Sequence, residues 1–235
     1  MAALIAFDTA TERMTIAVKG DGERVWSHEG EGGAKASATL LPAILGLLRD
    51  AGLRLADLDA VAFGRGPGAF TGLRTACSVA QGLAFGAGKP VLPIDSLLAV
   101  AEQARAGAAS YRVWSAIDAR MGQIYAAEYE HGDGAWQTRV EPLLTDCEQL
   151  AARWREQPPQ AIAGDALRSF GDRLLTFSAT LAPGAAPHAL ALLALAEAAW
   201  AGGDAVDPAL ALPLYVRDKV AQTTQERDAA RAERV

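Results

Sequence analysis

The chain has 235 residues, a 51% hydrophobic fraction and a formal net charge of −6. That length allows one large domain or two small ones sharing a core. The acidic balance argues against a chain that grips nucleic acid by itself, because such chains must neutralise phosphates with an excess of Lys and Arg. No apolar run reaches the ~18 residues of a membrane helix. The N-terminal "MAALIAFDTA" meets an Asp too early for a signal peptide, so a cytoplasmic, non-membrane protein is expected.

In chain order, "ALIAFDT", "MTIAVKG" and "ERVWSHEG" predict three strands joined by polar turns. "ASATLLPAILGLLRDAG" predicts a helix over 37–51, with Ser37 as its cap and Gly52 as its stop. Its apolar positions Leu40, Leu41, Ile44, Leu45, Leu47 and Leu48 form a stripe wider than one core face needs. "LDAVAFG" reads as a buried strand. It runs into "GRGPGAFTGLR" and a helix over 71–87, then the strand "KPVLPID" and a helix capped by Ser96. The pattern then restarts with "YRVWSAIDARMGQIYAAEYE", an apolar strand, an Asp, a tight turn and a second strand. Asp8 and Asp118 hold equivalent places, which predicts a duplicated β-β-β-α-β-α unit with a reduced second copy. Residues 131–160 read as irregular connection. "AIAGDALRSFGDRLL" gives a strand and a helix, and "PHALALLALAEAAWAGG" a final helix. The expected division is a first lobe over 1–107, a second over 108–218 and a flexible tail over 219–235. "LPLYVRDKVA" reads either as a strap on the domain or as a segment reaching into a cleft or partner.

The glycine-rich loop fails both phosphate-binding patterns. Gly72 is followed by Leu73 and Arg74, so the Lys of the Walker A loop is missing, and the last Gly of the dinucleotide fingerprint is missing too. It can still present backbone N–H groups at a helix start, a general anion site, or serve as a tight turn. Asp8, Thr9, Gly66, Gly68 and Asp118 are therefore the candidates for a nucleotide or phosphate. Gly72, Ala76, Ala80 and Ala84 recur every four residues, and a face of small residues lets another element approach closely. With the leucine stripe, this predicts an interface made by Leu41, Ile44, Leu45 and Leu48 on one helix and Gly72, Ala76, Ala80, Leu83 and Ala84 on the other. His28, His131 and His188 are scattered, and Cys77 and Cys147 lie far apart. Neither set supports a metal site or a metallopeptidase, and the chain shows no nucleophile elbow. No catalytic residue and no metal ligand is assigned.

"FDTAT", "GRGPGAFTGLR", "AIDARMGQIYAAEY" and "PLYVRDKVA" together resemble bacterial TsaB proteins, also called YeaZ, in order and spacing over nearly the whole chain. The resemblance implies the actin-like pair of α/β lobes of sugar kinases and Hsp70. It implies a non-catalytic subunit in the synthesis of threonylcarbamoyladenosine at position 37 of tRNA. That subunit would bind a TsaD-type catalytic subunit through the helices matching 37–51 and 71–87. A TsaE-type ATPase would join the assembly, and the chain alone would form a homodimer through similar helices. tRNA would be met only through the complex. The chain would have no cofactor of its own, with ATP or ADP held at the joint with the partner. Related chains often carry a His where Ala36 stands, so no role for that His transfers. The competing expectation is an independent ATP-dependent phosphotransferase of the same fold, using Asp8, Asp118 and the Gly loop.

Overall fold

The computed structural model describes residues 2–217. The tail expected over 219–235 lies outside the described residues. The first sheet contains β1 (Leu4–Asp8), β2 (Arg13–Lys19), β3 (Val25–Glu31), β4 (Ala60–Gly66) and β5 (Val91–Asp95), in the order β3-β2-β1-β4-β5. The second contains β6 (Tyr111–Arg120), β7 (Gln123–Gly132), β8 (Ala135–Thr145), β9 (Ala161–Ala163) and β10 (Thr180–Ala182), in the order β8-β7-β6-β9-β10. Pairing is antiparallel from β1 to β2 to β3 and parallel from β1 to β4 to β5. The second sheet repeats that pattern strand for strand. The duplicated α/β lobes expected from the sequence are present, and the second copy is reduced: β4 has 7 residues and β9 has 3.

The helices are α1 (Ala36–Ala51), α2 (Phe70–Ala87), α3 (Ser96–Arg105), α4 (Cys147–Glu156), α5 (Ala166–Phe170) and α6 (Ala189–Gly202). Side chains alternate faces along a strand, and the first sheet shows it directly. Ile5, Phe7, Ile16, Val61 and Phe63 pack under α1 and α2. Leu4, Ala6, Ala60 and Ala62 face the other way, against α3 and α6. With both faces covered, β1 is buried at every residue. The second sheet packs Val113, Ile117 and Tyr129 toward α3, and Trp114, Ile124 and Ile162 toward α4 and α5. The order of layers is thus α1/α2, first sheet, α3/α6, second sheet, α4/α5. Helix α6 comes late in the chain but lies on the first sheet, so the second lobe is not simply residues 108–218.

Some local expectations need correction. Helix α1 begins at Ala36 with Lys35 in the cap position, two residues ahead of the expected Ser37 cap. Asp95 occupies the cap position of α3, and Ser96 is its first helical residue, with its hydroxyl used elsewhere. Residues 131–160 hold β8 and α4 rather than an irregular connection. β8 is an edge strand in which only Thr145 is fully buried, and α4 buries only Leu150, Ala151 and Trp154. Both therefore lack the strong apolar period that marks a covered element.

Candidate functional site

β1 ends in Asp8, and β6 carries Asp118 two residues before its end at Arg120; in both lobes the carboxylate accepts the N–H two residues further on. Asp8 Oδ1 accepts the N–H of Ala10 at 2.6 Å, and Asp118 Oδ1 accepts the N–H of Arg120 at 2.8 Å. Such a turn suits Asp, whose short carboxylate reaches the N–H two residues on. The rest of each environment differs. Asp8 is 1% exposed, and its Oδ2 accepts the Ser96 hydroxyl at 2.6 Å. That same Ser96 oxygen accepts the N–H of Gly66 at 3.2 Å. Burial raises the Asp8 pKa, opposed in part by the bonds from Ser96 and Ala10.

The "GRGPGAFTGLR" motif explains itself through the same contacts. A Cβ on Gly64 would overlap the Asp8 carboxylate, and one on Gly72 would overlap the carbonyl of Thr9. Thr9 Oγ1 donates to the Gly72 carbonyl at 2.7 Å, and Ala69 N–H donates to Ala10 O at 2.8 Å. The glycines let the β4–α2 connection lie directly on the "FDTAT" hairpin. Gly66 has φ +111 and faces the backbone of Leu214.

Between the lobes lies a cleft of about 700 Å³, lined by Thr11, Glu12, Gly68, Phe70 and Thr71 from the first lobe and Asp118, Arg120, Tyr125, Asp165 and Ser169 from the second. That volume lies within the usual range for ligand pockets. Of the sequence-derived phosphate candidates, Gly68 and Asp118 line it; Asp8, Thr9 and Gly66 do not. Asp8 and Thr9 are consumed by bonds inside the fold, and Gly66 lies beside the C-terminal segment. Asp165 was not anticipated. Its Oδ1 accepts the Asp118 N–H at 2.9 Å. Burial raises its pKa, the Asp118 N–H opposes that, and the neighbouring Asp118 charge adds to it. It follows β9 as the loop glycines follow β4, so superposing the two repeats would have found it. Glu12 accepts from Arg120 Nη2 across the cleft at 2.6 Å. Among the described residues, no group of three or more His, Cys, Asp and Glu is arranged to hold a metal. The histidines lie apart, His28 on β3, His131 on β7 and His188 capping α6.

The expected partner interface needs a larger correction. Gly72, Ala76, Ala80, Leu83 and Ala84 are buried in the protein's own core, as are Ile44 and Leu48. The small residues of α2 do permit close approach, but to the sheet beneath. Leu41 and Leu45 point outward, 42% and 49% exposed. On α2 the outward face carries Ser78, Gly82, Phe85 and Gly86; Phe85 is 61% exposed, and a Cβ at Gly82 or Gly86 would meet open space.

Duplicated β-β-β-α-β-α lobes around a central cleft define a two-lobed α/β protein of the actin-like class. A family model described as TsaD, tRNA N6-adenosine threonylcarbamoyltransferase, matches residues 31–223. The chain is 33% identical to the tRNA threonylcarbamoyladenosine biosynthesis protein TsaB of Escherichia coli, over 93% of this chain and 96% of that one. It is 34% identical to the TsaB of Haemophilus influenzae, over 92% and 94%. The solved structure of YeaZ from Pseudomonas aeruginosa superposes with a TM-score of 0.81 at 37% identity, covering 92% of this chain and 100% of that one. The chain belongs to the TsaB/YeaZ family.

Proposed function

We propose that this protein works in tRNA threonylcarbamoyladenosine biosynthesis, the process its E. coli and H. influenzae relatives are named for, as a non-catalytic subunit in the cytoplasm. It binds a TsaD-type catalytic subunit, with a TsaE-type ATPase joining the assembly, and it meets tRNA only through that complex. Alone it pairs with a second copy of itself through the same helices. ATP or ADP, where used, sits at the joint with the partner. The observation that carries this proposal is the outward face of α1 and α2. Leu41 and Leu45 on α1 and Phe85 on α2 stand in solvent, and the backbone of Gly82 and Gly86 on α2 is bare. Grouped apolar side chains on a surface mark contact sites, and glycines admit a close-packed helix.

The Asp8 geometry supports the absence of catalysis. Chemistry shared by the equivalent pair Asp8 and Asp118 would need both on the cleft, and of that pair only Asp118 lines it. The test is reconstitution with the TsaD-type subunit of the same organism, scoring threonylcarbamoyladenosine on tRNA. Formation should depend on this chain and survive Asp118→Asn. Loss of all activity in Asp118→Asn would contradict the non-catalytic assignment. The phosphotransferase alternative keeps one supporting observation, the cleft with Gly68 and the start of α2 on its wall. ATP turnover by the purified chain alone would favour it.

A further inference from the structure

The segment that follows α6 touches both lobes. At one end it lies along the flank of α2, where Cys77 Sγ and Gln81 Nε2 donate to the Ala211 carbonyl at 3.4 and 3.1 Å. Leu214 N–H then donates to Arg65 O at 2.7 Å. Tyr215 stacks on Phe70, with centroids 5.0 Å apart and planes 12° apart, and Arg74 Nε donates to its hydroxyl at 3.0 Å. At the far end Arg217 crosses to the second lobe. Its Nη2 donates to Ala119 O at 2.8 Å, and its Nη1 lies 3.2 Å from Met121 Sδ.

The turn held by Arg217 is strained. Arg120 and Met121 sit at φ +64 and +57, a left-handed conformation that costs a non-glycine residue roughly 1–2 kcal/mol. Among the described residues, two clasps reach it from outside its own hairpin, Glu12 and Arg217. The Glu12–Arg120 pair is 78% and 69% exposed, and ion pairs in water contribute little. Arg217, whose bond to Ala119 O is partly buried, is the firmer of the two. The equivalent turn of the first lobe has no non-glycine residue at positive φ. A strained turn kept in place by contacts from elsewhere is released when those contacts shift.

We propose that residues 211–217 couple the flank of α2 to the interlobe cleft. A contact that moves Tyr215 on α2 changes the hold of Arg217 on the 119–122 turn, and the turn forms part of the cleft wall. The use of this coupling, to report a partner seated on α2, rests on the function proposed above. The coupling itself belongs to the chain alone and is tested on it, so the two ideas can fail separately.

The experiment is residue-resolved amide exchange on the full chain, comparing wild type with Arg217→Ala and Arg74→Ala. Arg217→Ala should speed exchange of the Arg120 amide and its turn neighbours by roughly tenfold, the effect of losing one charge-assisted bond. Arg74→Ala removes one anchor of Tyr215 on α2, the bond to its hydroxyl, and leaves the turn's own contacts untouched. It should speed the same amides by about threefold, with β1 and β4 unchanged. A turn that ignores Arg74→Ala, whatever Arg217→Ala does, would overturn the coupling. A turn that ignores both would show the segment to be a passive tie.

Discussion

The two lobes share strand order, pairing directions and an Asp at or near the end of the central strand that accepts the N–H two residues on, yet they treat that Asp differently. The cause is the length of one strand. In the first lobe Leu4 pairs with Ala60 and Phe7 with Phe63, so β4 continues past the level of Asp8 and Gly64 arrives beside it. In the second, Trp114, the counterpart of Leu4, pairs with Ile162, but β9 ends at Ala163. The chain turns away at Gly164, φ +125, which lies against the Ala116 carbonyl. Nothing in β9 covers Asp118, and it stays on the cleft. A motif repeated twice therefore became a structural lock in one lobe and a cleft residue in the other. Residue identity alone could not separate these outcomes; the length of the neighbouring strand did.

The strongest way to break this comparison is through the glycine contact on the first hairpin. Gly72→Ala would drive a Cβ into the Thr9 carbonyl and should destabilise the chain by about 3 kcal/mol in urea unfolding. The aspartates come next. Asp8→Ala strands the buried Ser96 hydroxyl and Ala10 N–H and should cost about 2 kcal/mol, whereas Asp118→Ala should cost less than about 1 kcal/mol, because its site opens to water. Equal losses would dissolve the distinction between the lobes.

A pH series sharpens it. The Asp8 pKa is raised on folding by burial, so the folded state holds that proton more tightly than the unfolded chain. The resulting stability is present below the ordinary value of 3.8 and is lost as pH rises through the raised folded value. Relative to wild type, Asp8→Asn should gain melting temperature as the pH rises above 3.8. A difference independent of pH would mean that burial does not govern this carboxyl. The smallest effect expected is at Gly82. With open space beyond it, Gly82→Arg should stabilise the isolated chain by ~0.7 kcal/mol through helix propensity.

Much of the fold was legible because covered elements announce themselves. The apolar runs at 4–8 and 60–66 and the repeated strand–Asp–hairpin gave away the duplication. The parts that stayed hidden, β8 and α4, are those with an exposed face and few buried residues. At the site, the importance of "GRGPGAFTGLR" was visible but its purpose was not. Glycine spacing looks alike whether the backbone approaches a phosphate or another backbone, and here it approaches Thr9 and Ala10. The small face of α2 misled for the same reason. Ala76, Ala80 and Ala84 signal close approach, and only the structure shows that the sheet is what approaches. Ala80→Arg would consequently put a charge into the core and test stability rather than association.

The most direct test of the outward α1–α2 face is the mass, by light scattering, of this chain mixed with the TsaD-type subunit of the same organism, for wild type and Gly82→Arg. The account predicts a heteromeric mass for wild type and separate components for Gly82→Arg, with the variant's own fold intact. An undiminished complex with Gly82→Arg, or no complex with wild type, would contradict it.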